Sequence, residues 1–418
     1  MWKTIRIADF GSVITGKTPS SNNPEHFGDD YPFITPTDIG TGRIVHADRG
    51  ISQEGYLKFR RQILPRWSVC FVCIGATIGK ICLTTEKSFA NQQINSVVVD
   101  TTRHDPFFVY YLLSTYAEAV KGIAGGAATP IVNKTSFENI EVVVPPLPTQ
   151  RKIAAIFSAY DDLIENNLRR INILEEMAQN LYREWFVKFR FPGHQHARFT
   201  DSPLGRIPEG WEVREMQEIA EVIDCLHSKK PAHNQSGTGL LLQLCNIGDG
   251  GKIDLSDKFL IADDDYQKWT SRIEVQVGDC VVTNVGRVGA VAQIPTGMKA
   301  AIGRNMTAIR PFAVGPTYLI EYLLSPHMIK EVQVKKDAGA IMDSLNVKGI
   351  VKLLVPVAPR ARMDLYEETT RPMRALVERL FQKNTILRCT RDLLLPRLIS
   401  GEVDVSELDL VVPEEAAV

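Results

Sequence analysis

The sequence lacks a large net charge of either sign, because 48 Lys and Arg residues nearly balance 49 Asp and Glu residues among 418 and leave a formal net charge of −1. Overall charge therefore indicates no partner, and a nucleic-acid role requires basic residues gathered on one face. No apolar run is long enough to span a membrane, and the first residues, with Lys3, Arg6 and Asp9, lack the apolar core of a signal peptide. Seven cysteines at irregular spacings do not form the framework of a small secreted domain. We therefore predict a cytoplasmic protein with reduced thiols.

Motifs for nucleotide or metal binding are incomplete. The segment CIGATIGKI (73–81) has a lysine after two glycines. A phosphate-binding loop needs four residues between its glycines and a Ser or Thr after the lysine, where this chain has three residues and Ile81. A tight turn between two strands accounts better for these glycines. Cys70 and Cys73 stand without a second cysteine pair, and residues three apart on a strand point to opposite faces. We therefore predict neither a nucleotide site nor a metal site.

No arrangement typical of catalysis is present either. His194 and His196 lie in a stretch rich in proline and glycine, without carboxylates at ligand spacing. Asp161 and Glu165 share one helical face, which we interpret as the solvated face of a coiled coil rather than an acid and base pair. The chain contains neither a Gly-x-Ser-x-Gly nor a His-Glu-x-x-His motif. The sequence therefore predicts a binding protein without catalytic residues.

What the sequence does contain is an internal repeat with a period of about 210 residues. Both halves open with a tryptophan, Trp2 or Trp211, which we predict to be a core anchor. Such a period is too long for a solenoid and indicates a duplicated domain. The matching blocks are MWKTIRIADFGSVI (1–14) and GWEVREMQEIAEVI (210–223), ITPTDIGTGRI (34–44) and LQLCNIGDGGKI (242–253), SVCFVCIGATIGKICL (68–83) and GDCVVTNVGRVGAVAQI (278–294), NQQINSVVV (91–99) and IGRNMTAIR (302–310), and VYYLLST (109–115) and IEYLLSP (320–326).

Each copy ends in a segment whose apolar residues alternate at spacings of three and four, which is typical of a coiled-coil seam. These segments run from Gln150 to about residue 190 and from about residue 359 to residue 400. Pro372 interrupts the second pattern, which predicts a kink or a fresh helix start at that point. Asn167 and Asn384 fall at seam positions, where a buried Asn can fix the register, and a surface position is the alternative.

We predict an α+β fold in which two related globular domains are separated by two long helices, packed as an antiparallel coiled coil with approximate internal twofold symmetry. The globular domains would then lie at opposite ends of the helix pair. The predicted segments are 1–149 for the first domain, 150–190 for the first long helix, 191–210 for a linker, 211–358 for the second domain, 359–400 for the second long helix and 401–418 for a C-terminal tail.

Two related but diverged domains suit a ligand with two separated, non-identical features, and duplex DNA is such a ligand. Asn and Gln pair with adenine, Arg pairs with guanine, and Lys commonly contacts phosphate. A scaffold whose two domains bind protein is the alternative. Polar loops occupy matching places in the two copies but differ in sequence: TGKTPSSNN (15–23), ANQQIN (90–95) and GGAATPIVNK (125–134) in the first, and HSKKPAHNQ (227–235), GRNM (303–306) and KKDAGAIMDSLNVK (335–348) in the second.

Several longer motifs resemble those of the DNA-specificity subunit of type I restriction-modification systems. The resemblance spans residues 1 to about 405, and the set PPLPTQRKIA, IPEGWEV and LLLPRLISGE in this order is its most specific part. The second copy departs from the pattern, because VAPRAR stands where the first copy has PLPTQR.

The resemblance implies that each globular domain is a target-recognition domain reading one half of a bipartite, asymmetric DNA site, and that the long helices fix the gap between the halves. It implies that DNA adenine methyltransferase subunits dock on the helices and that restriction subunits, which translocate DNA, join them. S-adenosylmethionine, ATP and Mg would then be bound by those partner subunits and no cofactor by this chain.

The resemblance, together with the loop composition, also implies which residues make contacts. Partner contacts are expected on the outer helix faces and at the end of the first helix, at Arg151, Glu165, Arg169, Glu176, Trp185 and Phe186. DNA contacts are expected at Lys17, Thr18, Ser20, Asn22, Lys80, Gln92, Asn95, Thr129, Asn133 and Lys134 in the first domain, and at Lys229, Lys230, Arg287, Arg304, Asn305, Lys335, Lys336 and Asn346 in the second.

Overall fold

The computed structural model describes residues 2–40, 42–124, 130–335 and 344–410, with the exception of the Lys335 side chain. The chain divides into two compact units, of which the first comprises Met1–Leu168 with Gln382–Val418 and the second Arg169–Phe381. Within the described residues, no helix is both long enough and apolar enough to cross a membrane.

In its described residues, the first unit begins with nine strands and four short α-helices. A four-stranded antiparallel sheet has the order β2-β8-β5-β6, and a three-stranded sheet, β4-β3-β7, contains the parallel pair β3 and β7. Strands β1 and β9 form a separate antiparallel pair. The elements are β1 (Lys3–Arg6), β2 (Gly11–Thr15), β3 (Phe27–Ile34), β4 (Gly50–Ile51), α1 (Gln53–Phe59), β5 (Val69–Val72), β6 (Ile81–Leu83), β7 (Phe89–Ala90), β8 (Ile94–Val99), α2 (Pro106–Thr115), α3 (Ala117–Ile123), α4 (Lys134–Glu138) and β9 (Glu141–Val144), followed by the long helix α5 (Leu147–Tyr182).

The second unit contains the same arrangement, preceded by one additional hairpin, β10 with β11. Its four-stranded sheet has the order β13-β19-β16-β17, its three-stranded sheet is β15-β14-β18, and β12 pairs with β20. The elements are β10 (Phe199–Ser202), β11 (Gly205–Pro208), β12 (Glu212–Glu215), β13 (Ala220–Asp224), β14 (Gly239–Leu242), β15 (Leu260–Ile261), α6 (Asp263–Trp269), β16 (Cys280–Thr283), β17 (Val291–Gln293), β18 (Ala301–Ile302), β19 (Met306–Pro311), α7 (Pro316–Leu323), α8 (Pro326–Lys335), α9 (Val347–Val351) and β20 (Leu354–Val357), followed by the long helix α10 (Arg360–Ile399).

The strand orders of the two units correspond one to one, and so do their short helices. The parallel pair is repeated as well, because β14 pairs with β18 as β3 pairs with β7. Helices and mixed sheets together make this an α+β protein. In the first unit Cys70 and Cys73 belong to different core clusters, as expected for residues three apart at the end of a strand.

In the first unit, the N-terminal half of α5 packs against the C-terminal end of α10. Asn167 and Asn384 are 2% and 1% exposed, and the Asn167 Nδ2 group donates to Asn384 Oδ1 at 2.8 Å. Asn384 Nδ2 in turn donates to the Ile164 carbonyl at 3.2 Å. The two asparagines are therefore buried in the seam, which was one of the two predicted alternatives, and not at the surface. Because residue 161 pairs with 391 and residue 167 with 384, these two helix segments are antiparallel.

Asp161 does not lie on a solvated face, contrary to the interpretation from sequence. Its carboxylate accepts a hydrogen bond from Tyr111 Oη at 2.7 Å and pairs with Arg391 Nη1 at 2.5 Å. The reason is that α2 of the same unit covers this part of α5, so that only Glu165 of the pair Asp161 and Glu165 stays exposed.

In the second unit, α5 ends in a wider π-helical turn, Arg183–Val187, which places Trp185 and Phe186 in the core. The Phe186 ring lies 5.3 Å from that of Trp211, 4.7 Å from that of Tyr318 and 5.0 Å from that of Tyr366, measured between centroids. Trp211 is thereby a core anchor, as the repeat predicts. Trp185 and Phe186 are buried, so the prediction that they contact a partner does not fit the fold.

Two further expectations differ from the structure. Helix α10 continues through Pro372, so of the two predicted outcomes, a kink or a fresh helix start, the fresh start is wrong. Pro372 and Glu368 are both exposed, so water can solvate the carbonyl that the proline ring leaves without a donor. The segment 191–210 is more than a linker, because it forms the hairpin β10–β11 and buries Phe191 and Ile207 in the core of the second unit.

We expect the Asn167 and Asn384 pair to contribute specificity more than stability. Asn167→Ala should lower the free energy of unfolding by about 1–3 kcal/mol, because it leaves a buried amide oxygen without a donor. Replacing both asparagines with leucine should restore that stability, since no polar group is then unsatisfied. Urea unfolding measures both variants, and Asn166→Ala at an exposed neighbouring position is the control. A double variant less stable than Asn167→Ala would contradict this account.

We expect Phe186→Ala to destabilise the second unit by about 3–5 kcal/mol, because it removes a buried ring from an aromatic cluster. Thermal unfolding of the chain provides the measurement. Val187→Ala is the matched control, since Val187 is 47% exposed and its truncation should change stability by less than about 0.5 kcal/mol. A Phe186→Ala chain that unfolds at the normal temperature but fails to bind a partner subunit would instead support a surface role.

Candidate nucleic-acid interface

In the first unit, the loop after β2 lies against the three-residue turn 91–93 between β7 and β8. The Gly16 amide donates to the Ile94 carbonyl at 3.0 Å, and the Lys17 amide donates to the Ala90 carbonyl at 2.8 Å. A Cβ atom at Gly16 would lie only 2.1 Å from the Asn91 carbonyl oxygen, so this approach requires glycine.

This approach brings together three of the predicted DNA contacts, Lys17, Thr18 and Gln92, which we call the first polar cluster. All three are exposed. Thr18 Oγ1 donates to Gln92 Oε1, which fixes the orientation of the amide. The Lys17 ammonium lies 5.6 Å from the centroid of the Phe59 ring at the end of α1. The cluster therefore offers a cation, a hydroxyl and an oriented amide to a ligand in solution.

The second unit builds a polar cluster in the corresponding place, around the turn 303–305 between β18 and β19. The Gly303 amide donates to the Leu242 carbonyl at 2.8 Å, just as the Asn91 amide donates to the Ile34 carbonyl at 3.0 Å in the first unit. A Cβ atom at Gly303 would lie 2.5 Å from the Leu242 oxygen, so glycine is required here too. These bonds fix the positions of the exposed residues Arg304 and Asn305.

Lys230 joins this second polar cluster, which we define as Lys230, Arg304 and Asn305. The Lys230 ammonium lies 3.9 Å from the centroid of the Phe259 ring, a distance typical of a cation–π contact. An open cavity of about 360 Å³ adjoins the cluster. Residues that line it include Lys230, Gln243, Cys245, Asp257, Trp269 and Arg304.

Other predicted DNA contacts are engaged within the protein. The Lys80 ammonium donates to the carbonyls of Pro36 and Ile39 at 3.0 and 2.7 Å. Asn95 is 3% exposed and accepts a hydrogen bond from Thr15 Oγ1 at 2.7 Å. Arg287 donates to the Ile247 carbonyl at 2.9 Å and pairs with Asp249. These side chains stabilise loops and strands of their own unit, so they are poor choices for DNA contacts.

Asn133 and Asn346 occupy equivalent positions and have equivalent structural roles. Each is the N-cap of a short helix: Asn133 accepts from the Ser136 amide at 2.9 Å, and Asn346 accepts from the Gly349 amide at 2.8 Å. Both residues are exposed. Lys134 pairs with Glu138 at 3.5 Å. The capping role explains why an asparagine recurs at this point of the repeat.

The remaining predicted contacts fall into two groups. Ser20, Asn22 and Lys229 are exposed in the loops beside the polar clusters. The backbone amide of Asn22 donates to Ser20 Oγ at 3.3 Å. Thr129 and Lys336, and the side chain of Lys335, lie outside the described residues.

On the long helices, the predicted partner contacts Glu165, Arg169 and Glu176 are exposed, and Arg151 is half-buried. The sequence prediction missed exposed apolar side chains on the same helices. They include Leu168, Ile386 and Leu393 in the first unit and Ile173 and Met177 in the second. The signal that could have identified them is an apolar residue that lies off the coiled-coil seam.

Among the described residues, two groups of side chains are close enough to share a cation, Asp224 with Cys225 and His227, and Glu25 with His26 and Glu54. In the first group, Arg272 already lies 3.9 Å from the Asp224 carboxylate, and burial raises the pKa of the Cys225 thiol, which disfavours the thiolate that metals bind. In the second, Glu25 accepts a hydrogen bond from Asn23 Nδ2 at 2.8 Å. The donor chemistry therefore gives no reason to assign a metal to either group.

Comparison with known proteins agrees with the geometry. Residues 1–176 match the family model for the type I restriction modification DNA specificity domain. The type I restriction enzyme MjaIX specificity subunit of Methanocaldococcus jannaschii is 25% identical over 420 residues, which cover 97% of this chain and 94% of that protein. The HindI specificity subunit of Haemophilus influenzae is 34% identical over 173 residues, which cover 40% of this chain and 38% of that protein.

A solved structure shares the fold. The S subunit of a type I restriction-modification system from M. genitalium aligns over 95% of this chain and 96% of its own with a TM-score of 0.61, at 15% sequence identity. The resemblance found in the sequence motifs is confirmed by these matches. Residues 1–176 thus match the DNA specificity domain of type I restriction-modification systems, and nearly the whole chain is similar to a type I specificity subunit.

Proposed function

We propose that this chain is the DNA-specificity subunit of a type I restriction-modification complex, and that each unit reads one half of a bipartite, asymmetric site. The observation that carries the proposal is the repetition of one polar cluster on two equivalent sheets with different side chains. Lys17, Thr18 and Gln92 stand in the first unit where Lys230 and Arg304 stand in the second. A shared scaffold with different reading groups suits two unlike half-sites.

The long helices, in this proposal, form an antiparallel coiled coil with approximate twofold symmetry that sets the gap between the half-sites. In the first unit, the hydrogen bond between Asn167 and Asn384 joins antiparallel segments of the two helices. It supports this role, because a buried amide pair fixes the register of two helices. In the second unit Ile171 packs against Val377 and Leu380, which continues the same seam positions.

The outer faces of these helices are the proposed docking surface for DNA adenine methyltransferase subunits, with restriction subunits joining that core. Exposed apolar residues support the proposal, since Ile386 and Leu393 in the first unit are 66% and 73% exposed and Ile173 in the second is 50% exposed. This chain would itself be non-catalytic. S-adenosylmethionine, ATP and Mg would be bound by the partner subunits.

A protein-binding scaffold is the rival function, and the chemistry of the clusters favours DNA over it. The cores of protein interfaces are depleted in charge and enriched in aromatic side chains. The two polar clusters instead present cations, amides and a hydroxyl, which are the groups that contact phosphates and base edges.

The proposal is tested by selecting binding sites from random duplexes with the complex of this chain and its methyltransferase subunits. We expect a two-part consensus with a fixed gap, and binding that weakens as salt rises because phosphate contacts release counterions. Absence of any DNA binding by that complex would refute the proposal.

The proposed role of the helices in setting the gap is tested in the same assay by removing one heptad from each helix, residues 170–176 and 375–381. Seven residues correspond to about 10 Å of helix, so the preferred gap should shorten by about three base pairs while both half-sites stay unchanged. Asn172→Ala, which keeps the length, is the control. A shortened chain that selects the original gap would contradict the role of the helices as a ruler.

A further inference from the structure

We propose that Gln92 and Arg304 are equivalent base-reading residues, and that Gln92 reads an adenine in one half-site and Arg304 reads a guanine in the other. This inference rests on the proposed function, because it names the specificity determinants of that same interface. Each residue is the middle one of a three-residue turn, 91–93 or 303–305, that connects equivalent strands.

The backbone gives the two residues the same position in the fold. The backbone amide of the first turn residue donates to the carbonyl of the last residue of the neighbouring strand, which is Ile34 in the first unit and Leu242 in the second. The carbonyl of the third turn residue accepts from the backbone amide of Cys73 in the first unit and of Asn284 in the second, at 2.8 Å in both. Hydrogen bonds on both sides of the middle residue use backbone atoms, so its side chain can differ between the units without loss of these bonds.

The chemistry at Arg304 selects a guanine. Arg304 is exposed, and within the described part of the chain no hydrogen bond or ion pair engages its guanidinium group. Lys230 and Asp257 line the same cavity, and neither pairs with Arg304. A G·C pair offers the N7 and O6 acceptors of guanine to an arginine fork, and the N4 amino group of cytosine to a carboxylate such as that of Asp257.

The chemistry at Gln92 selects an adenine. Thr18 occupies one lone pair of Gln92 Oε1, which leaves the second lone pair and both amide hydrogens available. That set matches adenine, which donates from N6 and accepts at N7. Because Thr18 holds the amide in one orientation, the acceptor and donor sides of Gln92 are fixed before the base arrives.

Neighbouring cations complete each site. Lys17 and Lys230 each lie over an aromatic ring, at 5.6 and 3.9 Å from its centroid, so their ammonium groups are held beside the reading residues. A lysine acts as a point charge suited to phosphate, whereas the arginine fork suits a planar pair of acceptors. We therefore assign base reading to Gln92 and Arg304 and backbone contacts to the two lysines.

The test is site selection from a library with two randomised blocks and a varied gap, using the complex of this chain with its methyltransferase subunits. Arg304→Gln should lose the preference for guanine at one position of one half-site by about 5- to 150-fold and leave the other half-site unchanged. Gln92→Arg should change an adenine to a guanine in the opposite half-site. Arg304→Lys keeps the charge and should weaken the guanine preference less than Arg304→Gln does, because an ammonium group can still donate to N7 and O6 but lacks the planar fork of arginine.

Arg287→Gln is the matched control, since Arg287 is an exposed arginine of the same unit that is engaged by Asp249. It should leave both half-sites unchanged. An unaltered consensus for Arg304→Gln and Gln92→Arg would overturn the inference while leaving the proposed function intact. Failure of the unmodified complex to select any two-part site would overturn the proposed function itself.

A second readout uses the exposed thiol of Cys245, which lines the same cavity as Arg304. In the complex, the selected duplex should slow maleimide labelling of Cys245, and Cys245→Ser identifies the signal. Labelling of Cys245 at the same rate with and without the bound duplex would exclude the cavity as a site of base contact.

Discussion

The hydrogen bonds that fix the turns 91–93 and 303–305 are the constraint on which the proposed function of this chain depends. The amide of the first turn residue binds the end of a parallel neighbour strand, at Ile34 or Leu242, and glycine at Gly16 or Gly303 permits the close approach of backbone to backbone. These contacts involve backbone atoms, so the middle residue of each turn can change without altering the scaffold. The two units accordingly carry different side chains at this position, Gln92 in the first and Arg304 in the second, on strands that are paired in the same order.

The long helices contribute to both units, because each helix passes from one unit into the other. In the first unit their segments bury the amide pair Asn167 and Asn384 together with the ion pair of Asp161 and Arg391. In the second unit the end of α5 supplies Phe186 to an aromatic core that also holds Trp211. The helices are thus part of each core as well as a connection, so their packing and the folding of the units stabilise one another.

The sequence predicted the repeat, the α+β class and the positions of the long helices, because apolar periodicity and matched blocks report local structure directly. It assigned DNA contacts to Lys80, Asn95 and Arg287, whose side chains instead bind backbone carbonyls or side chains in other strands and loops. The prediction that Trp185 and Phe186 contact a partner is wrong for a related reason, since only the tertiary fold shows that the π-helical turn at the end of α5 enters a core. Conversely, the equivalent positions of Gln92 and Arg304 follow from the strand pairings, which the sequence alone does not give. The loop composition identified exposed polar segments, and the fold shows which of their side chains have no partner within the described residues.

The central claim is that each unit reads its own part of the DNA. Hydroxyl-radical footprinting of the methyltransferase complex on its selected duplex tests this most directly. The account predicts two protected patches separated by a gap, with Lys17→Ala plus Gln92→Ala weakening one patch and Lys230→Ala plus Arg304→Ala weakening the other. A single continuous patch, or equal weakening of both patches by either pair of substitutions, would contradict it.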